Sequence, residues 1–155
     1  MIRLAEEKDI DDLLRLLVQV NMVHHNIRPD IFNGPKTKYS HDELIEIINN
    51  PQRPIFVYED NGNILGYAFC IHQEHKNDNI LTDIKTLYID DLCVDETSRG
   101  MHIGHMLYDY VLNYAKINNY YNITLNVWNG NENALKFYSS LGLEVQKIGM
   151  EKILK

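Results

Sequence analysis

The stretch "TLYIDDLCVDETSRGMHIGHMLYDYVLNYAK", residues 86–116, changes its period in the middle. Up to Val94 it is rich in β-formers, broken only by Asp90 and Asp91, and reads as a strand. From Ile103 onward the spacing of Ile103, Leu107 and Val111, with Tyr110 or Tyr114, is that of a buried helix face. Between them lie Arg99, Gly100, Met101, His102 and Gly104, a turn that brings a strand end onto a helix start. Such a junction gathers free backbone N–H groups and the positive end of a helix dipole, which suits an anion. Each hydrogen bond to a charged oxygen contributes roughly 1.5–3 kcal/mol, so four or five amides hold a pyrophosphate without a lysine. Taken alone, the two glycines fit a plain tight turn equally well. A Walker A loop is excluded because Gly-Lys-Ser/Thr is missing, and a dinucleotide fingerprint would need a third glycine.

Working outward, "MIRLA" alternates like a strand, and Ile10, Leu13, Leu14, Leu17 and Val18 start an amphipathic helix at Asp9. "HHNIRPDIFNGPKTKY" has no period and is expected to be a long loop of the kind that carries function. Ser40 stands three residues before Glu43, a capping box that opens a second helix. "PIFVY" and "ILGYAFCI" flank Asn61-Gly62, the signal of a tight hairpin. Late in the chain, "NITLNVW" reads as a strand, "NENALKFYSSLGL" as a capped helix ending at Gly142, and "EVQKIGMEKIL" as a further strand or hairpin. Early strands in series followed by strand–helix alternation predict an α/β (α+β) fold around one largely antiparallel sheet.

A chain of 155 residues is the size of one domain, expected here over residues 1–155, and buries roughly 70% of its unfolded surface. Apolar residues at 45% and charged residues at 24% exclude a disordered or solenoid chain. No run of apolar residues is long enough to span a membrane, and the start lacks a secretory pattern, so a cytoplasmic, membrane-free protein is expected. Net charge is −7 without a basic cluster, which opposes nucleic acid and favours a cationic small molecule. Cys70 and Cys93 lie in apolar strands and are expected to be free thiols.

Two patterns together resemble the GNAT superfamily of acyl-CoA-dependent N-acetyltransferases. The first is the pyrophosphate loop [Q/R]-x-x-G-x-[G/A], met by Arg99, Ile103 and Gly104 in register and preceded by Leu92, Cys93 and Val94 as the L-x-V strand. The second is the helix pattern N-x-x-A-x-x-F-Y-x-x-x-G, met by Asn131, Ala134, Phe137, Tyr138 and Gly142. The resemblance implies a mixed, mostly antiparallel sheet of about six to seven strands with about four helices. It also implies acetyl transfer from acetyl-CoA, as co-substrate, to a primary amine of a small molecule or peptide. A CoA-binding module without turnover is the alternative.

Residue by residue, the resemblance implies that Leu92, Cys93 and Val94 pair with the pantetheine arm, that Arg99, Gly100, Met101, His102, Ile103 and Gly104 wrap the pyrophosphate, and that Asn131 contacts the cofactor. Tyr138 then sits beside the sulfur, where a phenol of pKa near 10 protonates the leaving thiolate. "YIDDLCV" is similar to the "L-E-D-x-x-V" stretch of polyamine N-acetyltransferases, which favours Asp90 as general base. Strict strand alternation puts Asp90 on the face of Leu92 and Val94, and Asp91 on the face of Ile89 and Cys93. Both aspartates equally fit a solvated strand end. His102 stands where the family usually has glycine. A left-handed backbone there costs on the order of 1–2 kcal/mol, against which a protonated imidazole would pair with phosphate.

Histidine spacings at His24-His25, His72-x-x-His75 and His102-x-x-His105 do not make a metal site, because residues three apart on a strand face opposite sides and no partner stands at metal spacing. His24 and His25 fit either the acceptor pocket or a solvated loop. Trp128 fits either the acyl site or the core. The tyrosines of "LYDYVLNYAKINNYY" suit packing or a homodimer face.

Overall fold

The computed structural model describes residues 1–155 as one mixed α/β unit. In chain order it contains β1 (Ile2–Leu4), α1 (Ile10–Ile27), α2 (His41–Ile48), β2 (Ile55–Asp60), β3 (Asn63–Gln73), β4 (Thr86–Val94), α3 (Ile103–Ile117), β5 (Asn122–Leu125) and α4 (Glu132–Ser140). The strands form one sheet in the order β1-β2-β3-β4-β5. The first three pairings are antiparallel, while β4 and β5 run parallel.

Local chemistry sets most boundaries. Ser40 accepts from the Glu43 amide and Glu43 returns a bond to the Ser40 amide, so the capping box starts α2 as its spacing predicts. Asn61 and Gly62 take positive φ (50° and 81°) and close the β2–β3 hairpin. Gly142, at φ 94°, ends α4.

The sheet carries a core on each face. One packs β2 and β3 against α1 and α2 through Leu13, Leu16, Leu17, Leu44, Val57, Tyr67 and Phe69. The other packs β3 and β4 against α3 through Cys70, Leu87, Ile89, Tyr108 and Val111. Tyr114 is partly buried there, whereas Tyr110 stays 40% exposed. Gly66 is needed where α3 crosses β3, because a Cβ there would lie 3.0 Å from both the Cys93 carbonyl and a Leu107 methyl.

Three sequence expectations are corrected. First, α1 runs on to Ile27, so His24 and His25 lie in its last turn rather than in a loop. The apolar face continues through Val20, Val23 and Ile27, and the helix ends where Pro29 bars α geometry at Arg28, whose ψ is 73°. Second, β5 stops at Leu125, three residues before Trp128, because its only partner strand has turned away. Third, residues 144–155 form no strand, so the sheet has five strands rather than six or seven.

No helix is long and apolar enough to cross a membrane. Cys70 and Cys93 are buried free thiols.

Candidate active site

Parallel pairing of β4 with β5 ends at Ile89 opposite Leu125, so the outer edge of Asp90–Val94 has no strand beside it. The two strands splay there, and the backbone groups of Asp90–Val94 on that side are left for something else to meet. The opposite edge of β4 remains paired with β3 through Val94 opposite Gly66.

The end of β4 is held by a buried carboxylate. Asp95, 6% exposed, accepts from the amide and hydroxyl of Thr97 and forms an ion pair with Arg15 of α1. Gln19 of α1 accepts from the Glu96 amide. Thus α1 fixes the point from which the chain enters the turn before α3.

In that turn Arg99, Gly100, Met101 and His102 are all exposed, and Arg99 forms no ion pair. The amides of Ile103, Gly104 and His105 donate to no protein group, since the first helical bond runs from Met106 to His102. Free donors at the positive end of a helix dipole make this an anion-receptive turn. Gly104 is the close-packed glycine: a Cβ there would lie 3.4 Å from Phe137 and 3.5 Å from Val94.

His102 is left-handed, at φ 61° and ψ 22°. Its side chain makes no capping bond. The turn therefore carries the strain that glycine would avoid. His102→Gly is expected to raise thermal stability by about 0.5–1 kcal/mol, the relief being offset by glycine's unfolded-state entropy. Calorimetry checks this, and a lower melting temperature would refute it.

Strict alternation fails at the aspartates. Phe69 pairs with Asp91 and Cys70 with Ile89, leaving Asp90 as the extra residue of a β-bulge. The bulge turns both carboxylates toward the α1/α2 side of the sheet instead of dividing them between faces. Asp90, whose side chain is 8% exposed, accepts from Lys38 at 2.8 Å and from the Tyr39 hydroxyl at 2.6 Å. Tyr39 stacks on Phe69 and accepts from Arg53. Both oxygens of Asp90 are therefore taken by the segment that precedes α2.

Asp91 is placed differently. Its Oδ2 accepts from Tyr67, a fully buried tyrosine, at 2.6 Å, and no second side chain bonds to the carboxylate. Burial pushes its carboxyl up to about 6, against the opposing pull of Tyr67 and Lys38. Burial likewise pushes the Cys70 and Cys93 thiols up to about 12.

Tyr138 of α4 is half-buried, and its hydroxyl bonds to no protein group while remaining open to solvent. Burial, then the Asp91 charge, pushes it further above its ordinary value. Asn131 caps α4, its side chain accepting from the Ala134 amide at 3.3 Å. It also lines a cleft of about 380 Å³ with Val23, Asn26 and Ile27 of α1.

The other aromatic and histidine candidates make no hydrogen bond with the aspartates. Trp128 is 40% exposed and packs edge-on against Phe32, so it does not fill the core. His24 packs on Phe32, and burial lowers its pKa. His72 is bound to Tyr120 and Glu74, and His105 faces Asp109.

Sequence reasoning missed Lys38, Tyr39, Arg53 and Tyr67, which hold the two aspartates, and Arg15 and Gln19, which hold the turn. Each partner lies 14 or more positions from the group it binds, and no local spacing marks such a pair.

The model of the acetyltransferase (GNAT) family matches residues 22–143. A mutant of the BH1408 protein of Bacillus halodurans is similar at 31% identity and a TM-score of 0.95, over 100% of this chain and 99% of that one. An acetyltransferase of Trypanosoma brucei shares the fold at 22% identity and a TM-score of 0.72, over 99% of each chain. So does glucosamine-6-phosphate N-acetyltransferase of Arabidopsis thaliana, at 21% identity and 0.71, over 100% of this chain and 98% of that one. No curated protein sequence matches the chain. The chain has the splayed β4–β5 pair and the glycine turn and matches the family model over residues 22–143; it belongs to the GNAT family and is an acyltransferase enzyme.

Proposed function

We propose that the protein transfers an acetyl group from acetyl-CoA to a primary amine by direct attack, within the gap between β4 and β5. The observation that carries this reading is the pairing of unlike groups at the gap: a neutral phenol with a free hydroxyl, Tyr138, and a carboxylate whose pKa is raised, Asp91. A proton donor and a proton acceptor close enough for the charge of one to act on the other are what acid and base roles need.

The co-substrate supplies the activated acyl group. Arg99 and the amides of Ile103–His105 receive its pyrophosphate, and the unpaired edge of Leu92–Val94 receives its amide-bearing arm. Gly100, Met101 and His102 form the exposed wall of that turn. A backbone N–H on the same edge meets the thioester carbonyl and stabilises the charge that develops there. Asn131, already engaged as a cap, borders the site through its free amide nitrogen.

The base is Asp91 rather than Asp90 in this reading. Asp90 has both oxygens occupied by Lys38 and Tyr39, while Asp91 is bonded by one side chain, Tyr67, and burial raises its pKa. Asp91 takes the proton of the attacking ammonium, directly or through one water. Tyr138 gives its proton to the departing sulfur. Burial penalises the charge of a departing thiolate and makes it a stronger base than in water, so a phenol suffices.

The net charge of −7 favours a cationic acceptor. The test is thiol release with acetyl-CoA across polyamines, aminoglycosides, amino acids and peptide N-termini, beside a thermal shift with CoA. A raised melting temperature and release with at least one amine class support the proposal. A raised melting temperature with no release across the panel would leave a CoA-binding module.

A further inference from the structure

The segment between α1 and α2 sets one of the chain's own amines on the carboxylates of the site. Lys38 is the one lysine that bonds to either aspartate, its Nζ donating to Asp90 Oδ1 at 2.8 Å. The residue beside it is anchored: Tyr39 donates to Asp90 Oδ2 at 2.6 Å, stacks on Phe69 and accepts from Arg53. Ser40 then caps α2. The backbone at Lys38 is thereby fixed, while its side chain, 49% exposed, keeps the freedom of a flexible four-carbon stem.

The same amine lies beside the proposed base. The β-bulge brings Asp90 and Asp91 to one side of the sheet, at the place where β4 loses β5 as a neighbour. The charge of Lys38 acts on the Asp91 carboxyl, and also on His24, whose ring packs on Phe32. The charge of Asp91 acts in turn on Tyr138. Amine, base and acid therefore gather around one spot, and this amine needs no binding step to reach it. A group held in this way reacts as if at a concentration that no free amine attains.

We propose that the protein acetylates its own Lys38 from acetyl-CoA, within one chain. This rests on the acetyl transfer proposed for the β4–β5 gap and adds an acceptor to it. The Lys38 ammonium leaves Asp90 and gives one proton to Asp91; its nitrogen attacks the thioester carbon, and the N–C bond forms. The C–S bond breaks as Tyr138 protonates the sulfur, and the nitrogen's second proton returns to Tyr138 through solvent. The balance is one acetyl-lysine, one free thiol and one proton, with no oxidant or further reactant. The acetylated side chain carries no charge, so Asp90 is left with Tyr39 as its partner. A purely structural pair, in which Lys38 only neutralises the buried Asp90, would leave the amine unmodified.

The full chain is incubated with acetyl-CoA and no added amine, and followed by intact mass and peptide mapping. One acetyl group per chain is expected, on Lys38, at a rate per chain that does not change with protein concentration. Lys38→Arg, which keeps a cation for Asp90, should take up none, and Tyr138→Phe should label about 10²-fold more slowly. Label spread over exposed lysines such as Lys36 and Lys155, a rate that rises with protein concentration, or an unchanged rate in Tyr138→Phe overturns the inference. So does an unmodified Lys38 in protein that releases thiol with a free amine, a result that leaves the proposed acetyl transfer standing. No label and no release with any amine would overturn both.

Discussion

Replacing Asp91 by Asn is expected to lower kcat by about 10²–10⁴-fold, the usual contribution of a positioned base, while the fold survives. Asn keeps an acceptor for the Tyr67 hydroxyl and fills the same space. The wild-type rate should fall on acidification through about pH 6, because the base is then protonated. That limb should be absent from what activity the variant retains.

Stability should move the other way. The carboxyl of Asp91 titrates near 6 in the folded chain and near the ordinary aspartate value of about 4 when unfolded, so between these values the native state holds the extra proton. Stability therefore declines as pH rises from about 4 to about 6, and the deficit is complete above that. Asn carries no such charge, and Asp91→Asn should be as stable as wild type or more so at pH 7, by denaturant midpoint. A wild-type rate, or a surviving limb near pH 6, would remove Asp91 as the base.

The second large effect is expected at Tyr138. Tyr138→Phe should reduce kcat by about 10²-fold or more with little change in stability. The ring keeps its edge contact with Phe137, and the hydroxyl has no protein partner to lose. The discriminating measurement uses acyl donors of different leaving-group acidity. A donor whose thiolate needs no proton, such as an aryl thioester, should narrow the gap between variant and wild type. An equal deficit for both donors would mean that the hydroxyl positions substrate and does not protonate the sulfur. Since burial pushes this phenol up, it stays protonated across the working range and contributes no falling limb near neutrality.

The sequence carried what depends on short range. The capping box at Ser40, the Asn61-Gly62 hairpin, the β4–turn–α3 junction and the Asn131–Gly142 helix were legible because each rests on residues within one turn or a few strand positions of one another. Together with two spaced patterns they specify the fold family and point to Tyr138. The length of α1 was hidden by polar residues on its outer face, since its apolar stripe persists to Ile27.

Tertiary structure decided the rest. A register shift between β3 and β4 is invisible in one strand read alone, and it is this shift that turns Asp90 and Asp91 to the same side. Which aspartate has both oxygens taken by side chains depends on Lys38, Tyr39 and Tyr67, brought in from distant positions. The left-handed backbone at His102 follows from how α3 meets the end of β4, for residue type alone allows either hand. Sequence could likewise mark residues 144–155 as strand-forming, by their alternation. Whether a strand forms depends on the edge it meets, because a strand completes its hydrogen bonds only with a partner, and within this chain the segment has none.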